Sequence, residues 1–378
     1  MRKFVGKDAA VTKLADIQEK CSDCGACVND CDFLMKYGAS PLKLARAFER
    51  GVGRENPLIP YSCSLCGHCA KVCPEELNIG EVCETVRDGL VAEGKGPLQQ
   101  HEYLAWNLNI CLSDKFALAE PDPAATRCER VFFPGCGLAG YNPSLVTRSW
   151  DYLRQKLPGT GIVLYCCGAP VRDIGQKTKM KDILKHISDE MARLGATEII
   201  TCCTNCYKTF KLYAPGLKLR TIYEVILEKG LPDGLTTKPW TFSLHDSCPA
   251  RDEPRIQEAV RSLTRKMGFH IHEMKNSKEL SQCCGMGGMV GYADIWLALE
   301  ATKRRVAEAP YDLLTYCANC RETLTNPEVG NKAALHMLDL IFNPNWEQDR
   351  LNQANIGKTR RDNQVQLKKQ LLDVISKV

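Results

Sequence analysis

The chain has 378 residues, enough for two or three cores, and its 44% apolar and 25% charged residues are those of a soluble globular protein. A net charge of +5, from 50 basic and 45 acidic residues, does not point to nucleic acid; it fits acidic small molecules or an acidic partner protein. The outlier is cysteine, with 22 copies in a chain far longer than a secreted disulfide scaffold.

The opening MRKFVGKDAAVTKLADIQEK has neither the apolar core nor the cleavage site of a secretory leader. No run reaches the roughly 18 apolar residues of a spanning helix, and the longest uncharged run, Val131 to Thr147, is broken by Gly and Pro. The expectation is a cytoplasmic protein, associated with a membrane only through a partner. Thiols stay reduced there, so dense cysteine means metal.

Residues 1–118 carry two compact cysteine runs joined by helical segments such as SPLKLARAFERG. CSDCGACVNDC supplies Cys21, Cys24, Cys27 and Cys31, and CSLCGHCAKVCP supplies Cys63, Cys66, Cys69 and Cys73. Both fit the C-x2-C-x2-C-x3-C spacing of [4Fe–4S] cubanes, in which three close thiolates wrap one cluster and the fourth caps the other. One cubane is therefore assigned Cys21, Cys24, Cys27 and Cys73, and the other Cys63, Cys66, Cys69 and Cys31. A pair of zinc sites is the alternative. Asp32, where a Pro would usually follow Cys31, implies a local change of backbone. His68, inside the second run, is either an exposed loop residue or a polar group tuning the cluster.

AEPDPAATRCER, near residues 119–130, reads as a linker. From Val131 to about Asn343, short apolar runs alternate with amphipathic segments, as in β/α units. VFFPGC is matched by FSLHDSC, and CCG recurs in YCCGAPV and QCCGMGG. The paired cysteines are 112 residues apart (Cys136, Cys248), 117 apart (Cys166, Cys283) and 114 apart (Cys203, Cys317). A near-constant offset argues for duplication of one α/β half, 131–235 and 236–344. TKMKDILKHISDEMARLG and DIWLALEATKRRVAEA are read as crossover helices. The charged tail, 345–378, is read as a helix or arm with a solvated surface.

Most cysteines of both halves fall at the carboxyl ends of apolar strands, the edge where open parallel sheets bind ligands. Each half offers five thiols: Cys136, Cys166, Cys167, Cys203 and Cys206, then Cys248, Cys283, Cys284, Cys317 and Cys320. Zinc and cubanes want four ligands. Five, two of them adjacent, suit an irregular iron–sulfur core, with zinc or metal-free redox thiols as alternatives. Gly168 and Gly285 would let backbone pass close to it. Cys83, Cys111, Cys128 and Cys202 read as packed core thiols, although Cys202 adjoins Cys203 and is a candidate to replace it. His245 and Asp246, in LHDSC, either supply protons or orient the strand end.

The repeated C-x(n)-CCG-x(n)-C-x2-C pattern, with FFPGCGLAGYNP and CCGMGG as its clearest local matches, resembles the CCG domain in the B-type component of heterodisulfide reductase. The first region resembles the C-type component, and a chain carrying both resembles the D-type component of the membrane-linked enzyme. It is also similar to the iron–sulfur subunit of anaerobic glycerol-3-phosphate dehydrogenase and to lactate-utilisation iron–sulfur proteins. The resemblance implies an α+β multi-domain fold: a mostly helical two-cluster ferredoxin-type domain, then a duplicated α/β CCG domain. It implies that each five-cysteine set holds a non-cubane [4Fe–4S] cluster and is catalytic. The first gap, 29 residues between Cys136 and Cys166, is short, and one site could instead hold zinc or nothing.

The activity implied is that of an oxidoreductase subunit. It would receive electrons through two cubanes and reduce a disulfide or thiol-type substrate between the two CCG sites, without hydride or acid–base machinery. The alternative is an electron-transfer subunit between a flavoprotein dehydrogenase and a quinone or other carrier. A structural zinc protein is the third reading. Either redox reading needs a flavoprotein or other electron-donating partner, because neither a flavin nor a nicotinamide motif is visible.

Overall fold

The computed structural model describes residues 7–38, 40–235, 239–351 and 356–377. Residues 1–6 of the stretch read for a leader, residues 236–238 at the expected boundary between the halves, and residues 352–355 of the tail lie outside them.

The cysteine runs sit among short helices. Helix α1 spans Lys7–Lys20. Helix α2, Pro41–Glu49, starts where the Ser40 hydroxyl accepts from the Lys43 N–H at 3.2 Å, with Pro41 in the first turn. It buries Leu44, Ala45 and Phe48 along one stripe. Helix α3, Ile79–Ala92, follows the second run and is capped by the Asn78 side chain. Helix α4, Glu102–Cys111, leads into the sheets.

Strand β1 (Leu118–Glu120) precedes β2 (Arg130–Phe133), β3 (Thr160–Leu164), β4 (Glu198–Thr201) and β5 (Lys218–Thr221). Their order across the sheet is β1-β3-β2-β4-β5. The pairs are parallel, Phe132 lying opposite Ile162 and Ile200, except that β1 runs antiparallel to β3. Strands β6 (Thr241–His245), β7 (His270–Glu273), β8 (Leu313–Thr315) and β9 (Ala334–His336) form a second, parallel sheet ordered β7-β6-β8-β9. Leaving β1 aside, both sheets place the second strand of their half first, then the first, third and fourth. That order puts a topological switch point between the first and third strands, the place where open sheets bind ligands.

Helices α5 (Gly135–Tyr141), α6 (Pro143–Lys156), α7 (Lys177–Leu194) and α8 (Thr204–Tyr213) cross between strands of the first half. Helices α9 (Pro254–Lys266), α10 (Ile295–Ala307) and α11 (Ala318–Leu324) do so in the second. In α7, Met180, Ile183, Leu184, Ile187 and Met191 make the buried stripe, and Gly195 ends the helix with φ +76°.

Two segments depart from the sequence reading. The stretch read as a linker opens with β1 and is then pinned by Asp122, whose carboxylate accepts from the Gly159 and Ala124 N–H groups, each at 3.1 Å. A strand pairing across more than 40 residues overrode its Pro-rich composition. The tail forms helix α12, Ile356–Ile375, which lies against α5 and α6 and buries Gln364, Leu367 and Leu371. Its outer face is charged and solvated, but its inner face is core.

Candidate iron–sulfur centre

Each cysteine run turns through left-handed backbone (Asp23 and Gly25 in the first, Leu65 and Gly67 in the second), so the chain wraps tightly, with Cys27, Cys63 and Cys69 buried and Cys24 exposed. Cys21, Cys24, Cys27 and Cys73 line one cavity of about 90 Å³. Burial and the neighbouring Cys73, Cys21 and Cys24 push the Cys27 thiol up to about 11. Cys31, Cys63, Cys66 and Cys69 line a second cavity of about 60 Å³. Cys31 is raised by burial and by Cys66, Cys63 and Cys69 around it. The fourth cysteine of each run therefore stands with the first three of the other. After Cys31, Asp32 opens a short helix and pairs with Arg304.

His68 is buried, not an exposed loop residue, and stands 3.4 Å from the Gln282 amide of the second half. Burial lowers its pKa, so the neutral imidazole is favoured. Cys83 lies beside Cys63, and with burial its nearness raises the Cys63 thiol.

Eight of the ten thiols of the two halves follow the carboxyl ends of strands. Cys136 lies just past β2, Cys166 and Cys167 past β3, Cys203 past β4, Cys248 past β6 and Cys317 past β8, with Cys206 and Cys320 in the first turns of α8 and α11. The Cys283–Cys284 pair comes ten residues after β7, on a coil segment. In the first half, Cys136 touches Cys166, Cys166 touches Cys167, Cys167 touches Cys206, and Cys206 touches Cys203. In the second, Cys248, Cys283, Cys284, Cys320 and Cys317 touch in that order. Cys203 and Cys317 also meet, so the two sets form one row of ten sulfurs.

Contacts with Cys166 and Cys206 hold Cys167 well below an ordinary thiol, while contacts with Cys167 and Cys203, with burial, hold Cys206 well above. Ten thiols gathered in a largely buried setting are a donor set that fits soft metal better than an apolar core.

Gly168 and Gly285 do bring backbone to the sulfurs, their N–H groups donating to Cys166 Sγ at 3.4 Å and to Cys283 Sγ at 3.3 Å. The open side of each (φ +83° and +104°) faces a helix. An added Cβ would stand 3.1 Å from Met180 Cγ at Gly168, and 2.5 Å from the Ala298 carbonyl at Gly285. At Gly135 it would lie 3.2 Å from Cys206 Sγ, and at Gly287 2.8 Å from Cys283 Sγ.

Asp246 orients the strand end. It accepts from Arg261 at 3.1 and 2.7 Å, from the Tyr316 hydroxyl at 2.8 Å and from the Lys278 N–H at 2.8 Å. Burial pushes its carboxyl up, but Arg261 and these donors prevail and hold it below the usual range. His245 is fully buried, with Nδ1 3.4 Å from the Arg305 guanidinium. Desolvation and Arg305 lower its pKa to about 3, leaving it neutral.

The spacing of the cysteines gave no sign of Cys111. It comes from α4 to touch Cys136, and the Gln364 amide of α12 bonds its Sγ at 3.6 Å and the Cys136 carbonyl at 3.0 Å. Cys202 gives its S–H to the Pro134 carbonyl at 3.1 Å, off the row. Cys128 points to the Arg130 carbonyl. Arg251 and Arg87 were also unforeseen. Arg251 bonds the carbonyls of Cys66, Ser281 and Glu279, and Arg87 those of Pro60, Cys63, Asp173 and Gly288. Their sequence surroundings carry no signal, because their partners lie up to 201 residues away.

Residues 20–78 match the family model of a 4Fe-4S dicluster domain, and residues 130–211 and 242–325 each match that of the cysteine-rich (CCG) domain. The chain is a CCG-domain iron–sulfur protein, similar to the D-type component of heterodisulfide reductase. The D component of dihydromethanophenazine:CoB–CoM heterodisulfide reductase from Methanosarcina acetivorans is 27% identical, over 89% of this chain and 95% of its own length. The B component of fumarate reductase (CoM/CoB) from Methanothermobacter marburgensis is 25% identical, over 85% of this chain and 71% of its own. A segment of EtfAB:quinone oxidoreductase of Syntrophomonas wolfei is 27% identical, over 45% of this chain and 26% of that protein. These relatives support an oxidoreductase role for this CCG-domain chain. Among the described residues, no helix is long and apolar enough to cross a membrane.

Proposed function

We propose that this CCG-domain chain is the iron–sulfur subunit of a heterodisulfide-reductase-like oxidoreductase. In this reading Cys21, Cys24, Cys27 and Cys73 hold one [4Fe–4S] cubane, and Cys63, Cys66, Cys69 and Cys31 the other. Cys136, Cys166, Cys167, Cys203 and Cys206 hold one non-cubane cluster, and Cys248, Cys283, Cys284, Cys317 and Cys320 the second. The domains run 1–118, 131–235 and 236–344, with the helix beyond. Bound there, the clusters supply one-electron transfer and iron to which sulfur can bind. The reaction is RS–SR′ + 2e⁻ + 2H⁺ → RSH + R′SH, with electrons from a flavoprotein or other electron-donating partner.

The contact between Cys203 and Cys317 carries this reading, because it sets the two five-thiol sets edge to edge. A disulfide needs two sulfurs served at once, and a seam between two five-thiol sets offers that. The side chains around the seam orient and exclude water. Thr204 and Ser247 bond across it at 2.9 Å, and Tyr223, fully buried, gives its hydroxyl to the Cys202 and Tyr316 carbonyls.

Anaerobic purification, iron and sulfide analysis and a disulfide assay with a reduced viologen test it. About sixteen irons per chain are expected from four such clusters, with two thiols released per disulfide consumed. About eight irons with bound zinc would refute the non-cubane sets. Full iron with no thiol release would favour the second reading, an electron-transfer subunit between a flavoprotein dehydrogenase and a quinone. The stretch similar to EtfAB:quinone oxidoreductase supports that alternative.

A further inference from the structure

We propose that His245 aims an N–H hydrogen-bond donor at the sulfur of the second five-cysteine site, and that Arg305 fixes the tautomer that makes it a donor rather than a metal ligand. The inference rests on the reading that this site holds an iron–sulfur group.

His245 is the last residue of β6, three before Cys248, and is wholly buried. A ring nitrogen and the Sγ atoms of Cys284 and Cys320 lie within 4.8 Å of one another, close enough to resemble a three-ligand metal site. Arg305 argues against ligation. Its Nε and Nη2 both stand 3.4 Å from His245 Nδ1. A guanidinium only donates, so Nδ1 must accept and the ring proton belongs on Nε2. Nε2 has no hydrogen-bond partner on the protein. A buried N–H without an acceptor is costly, and the Cys284 and Cys320 Sγ atoms, within 4.8 Å of a ring nitrogen, are the acceptors we assign to it. Arg305 is itself held in place: it is fully buried and pairs with Glu308 at 2.7 Å.

The first half lacks this device. The 112-residue offset that aligns Cys136 with Cys248 puts Phe133 at the place of His245. Phe133 packs edge-on against Phe210, with ring centroids 5.0 Å apart. A side-chain amide reaches the first site from outside the repeat, where Gln364 of α12 bonds the Cys136 carbonyl. The two five-cysteine sites are therefore chemically unlike. A donor on cluster sulfur stabilises the reduced, more negative state and raises the reduction potential.

The test uses the full chain with its clusters, titrated under paramagnetic resonance with iron analysis alongside. His245→Phe copies the first half, and His245→Gln keeps an N–H donor. We expect full iron in both, a second-site transition shifted to lower potential in His245→Phe, and recovery toward wild type in His245→Gln. A fully loaded His245→Phe that titrates like wild type overturns the inference, as does a His245→Gln no better than His245→Phe. Loss of second-site iron in both variants would make His245 a ligand and overturn the tautomer assignment. A wild-type chain with no iron at the second site would instead overturn the reading beneath it. Labelling wild type with ¹⁵N-histidine gives a check free of refolding: weak electron–nuclear coupling supports the donor, and the strong coupling of a ligating nitrogen overturns it.

Discussion

Arg87, on α3, is the residue whose loss should cost the molecule most. It is fully buried, and its guanidinium bonds four carbonyls: Pro60 at 2.9 Å, Cys63 at 2.5 Å, Asp173 at 2.6 Å and Gly288 at 2.9 Å. Those carbonyls belong to the helices around the second cysteine run, to the first half and to the second half. The Tyr61 ring adds a face 5.1 Å away. Replacement by Met keeps much of the volume and strips every donor. At about 1 kcal/mol each, the low end for a buried acceptor left unpaired, the four carbonyls come to about 4 kcal/mol. Relief of the buried guanidinium returns part of that, leaving about 3 kcal/mol. That energy corresponds to roughly a hundredfold rise in the population of the opened state. The assay is transfer of iron from the anaerobic, loaded chain to a chelator, under conditions where opening precedes capture. Arg87→Met should release iron about a hundredfold faster, first from the sets next to Cys63 and Gly288. Arg87→Lys, with one compact ammonium, should fall between. Release from Arg87→Met at the wild-type rate would refute the reasoning.

Gly285→Ala and Gly168→Ala should differ sharply. Both force a positive φ on alanine, about 1–2 kcal/mol, but only at Gly285 does the new Cβ meet a fixed carbonyl, at 2.5 Å. Melting of the two variants should therefore separate widely, and equal losses would refute this. Cys202→Ala should keep full iron while Cys203→Ala loses it, because the Cys202 S–H is committed to the Pro134 carbonyl; the reverse pattern in an iron assay would exchange the two roles. Asp339 is buried and its carboxyl is pushed up to about 6 by desolvation, against Arg321, the His336 N–H and the Tyr141 hydroxyl, with Asp349 adding to the rise. An acid whose folded pKa is raised contributes stability below its unfolded pKa and loses it as pH climbs to the folded one. Wild type should then lose about 1.5 kcal/mol relative to Asp339→Asn between pH 5 and 7.5. A denaturant-midpoint difference that stays flat across that range would rule it out.

Spacing made the thiols legible because ligand geometry is local: three cysteines within seven residues can wrap one corner whatever the rest of the chain does. The same holds for α2 and α7, whose caps and stripes are written within a few turns. The sheet order was legible only as β/α alternation. His68 sits in a loop-like run, yet it is buried by Gln282, 214 residues on. β1 owes its strand to β3 and α12 owes its buried face to α5, so composition misread both. Cys111 looked like packing and reached Cys136 through the fold alone.

The row of ten sulfurs has two unlike ends, and that bears on how the proposed clusters would be used. At one end, Cys283 borders the cavity of Cys31, Cys63, Cys66 and Cys69, and Arg251 ties the Cys66 carbonyl to Ser281. Of the N-terminal cysteines, Cys31, Cys63, Cys66 and Cys69 thus border the second half. At the other end, Cys136 lies beneath α12, with Gln364 on its carbonyl. Electron transfer falls off steeply with distance, so a donor feeding the N-terminal sets would reach the second five-cysteine set before the first. The seam at Cys203 and Cys317 then lies between an inner set next to the supply and an outer set that is reached only across it. Two equivalent sets would need no such order. A chain in which one set borders the N-terminal cysteines and carries His245, while the other is closed by a helix from outside the repeat, supports unequal roles for two halves that share one strand order.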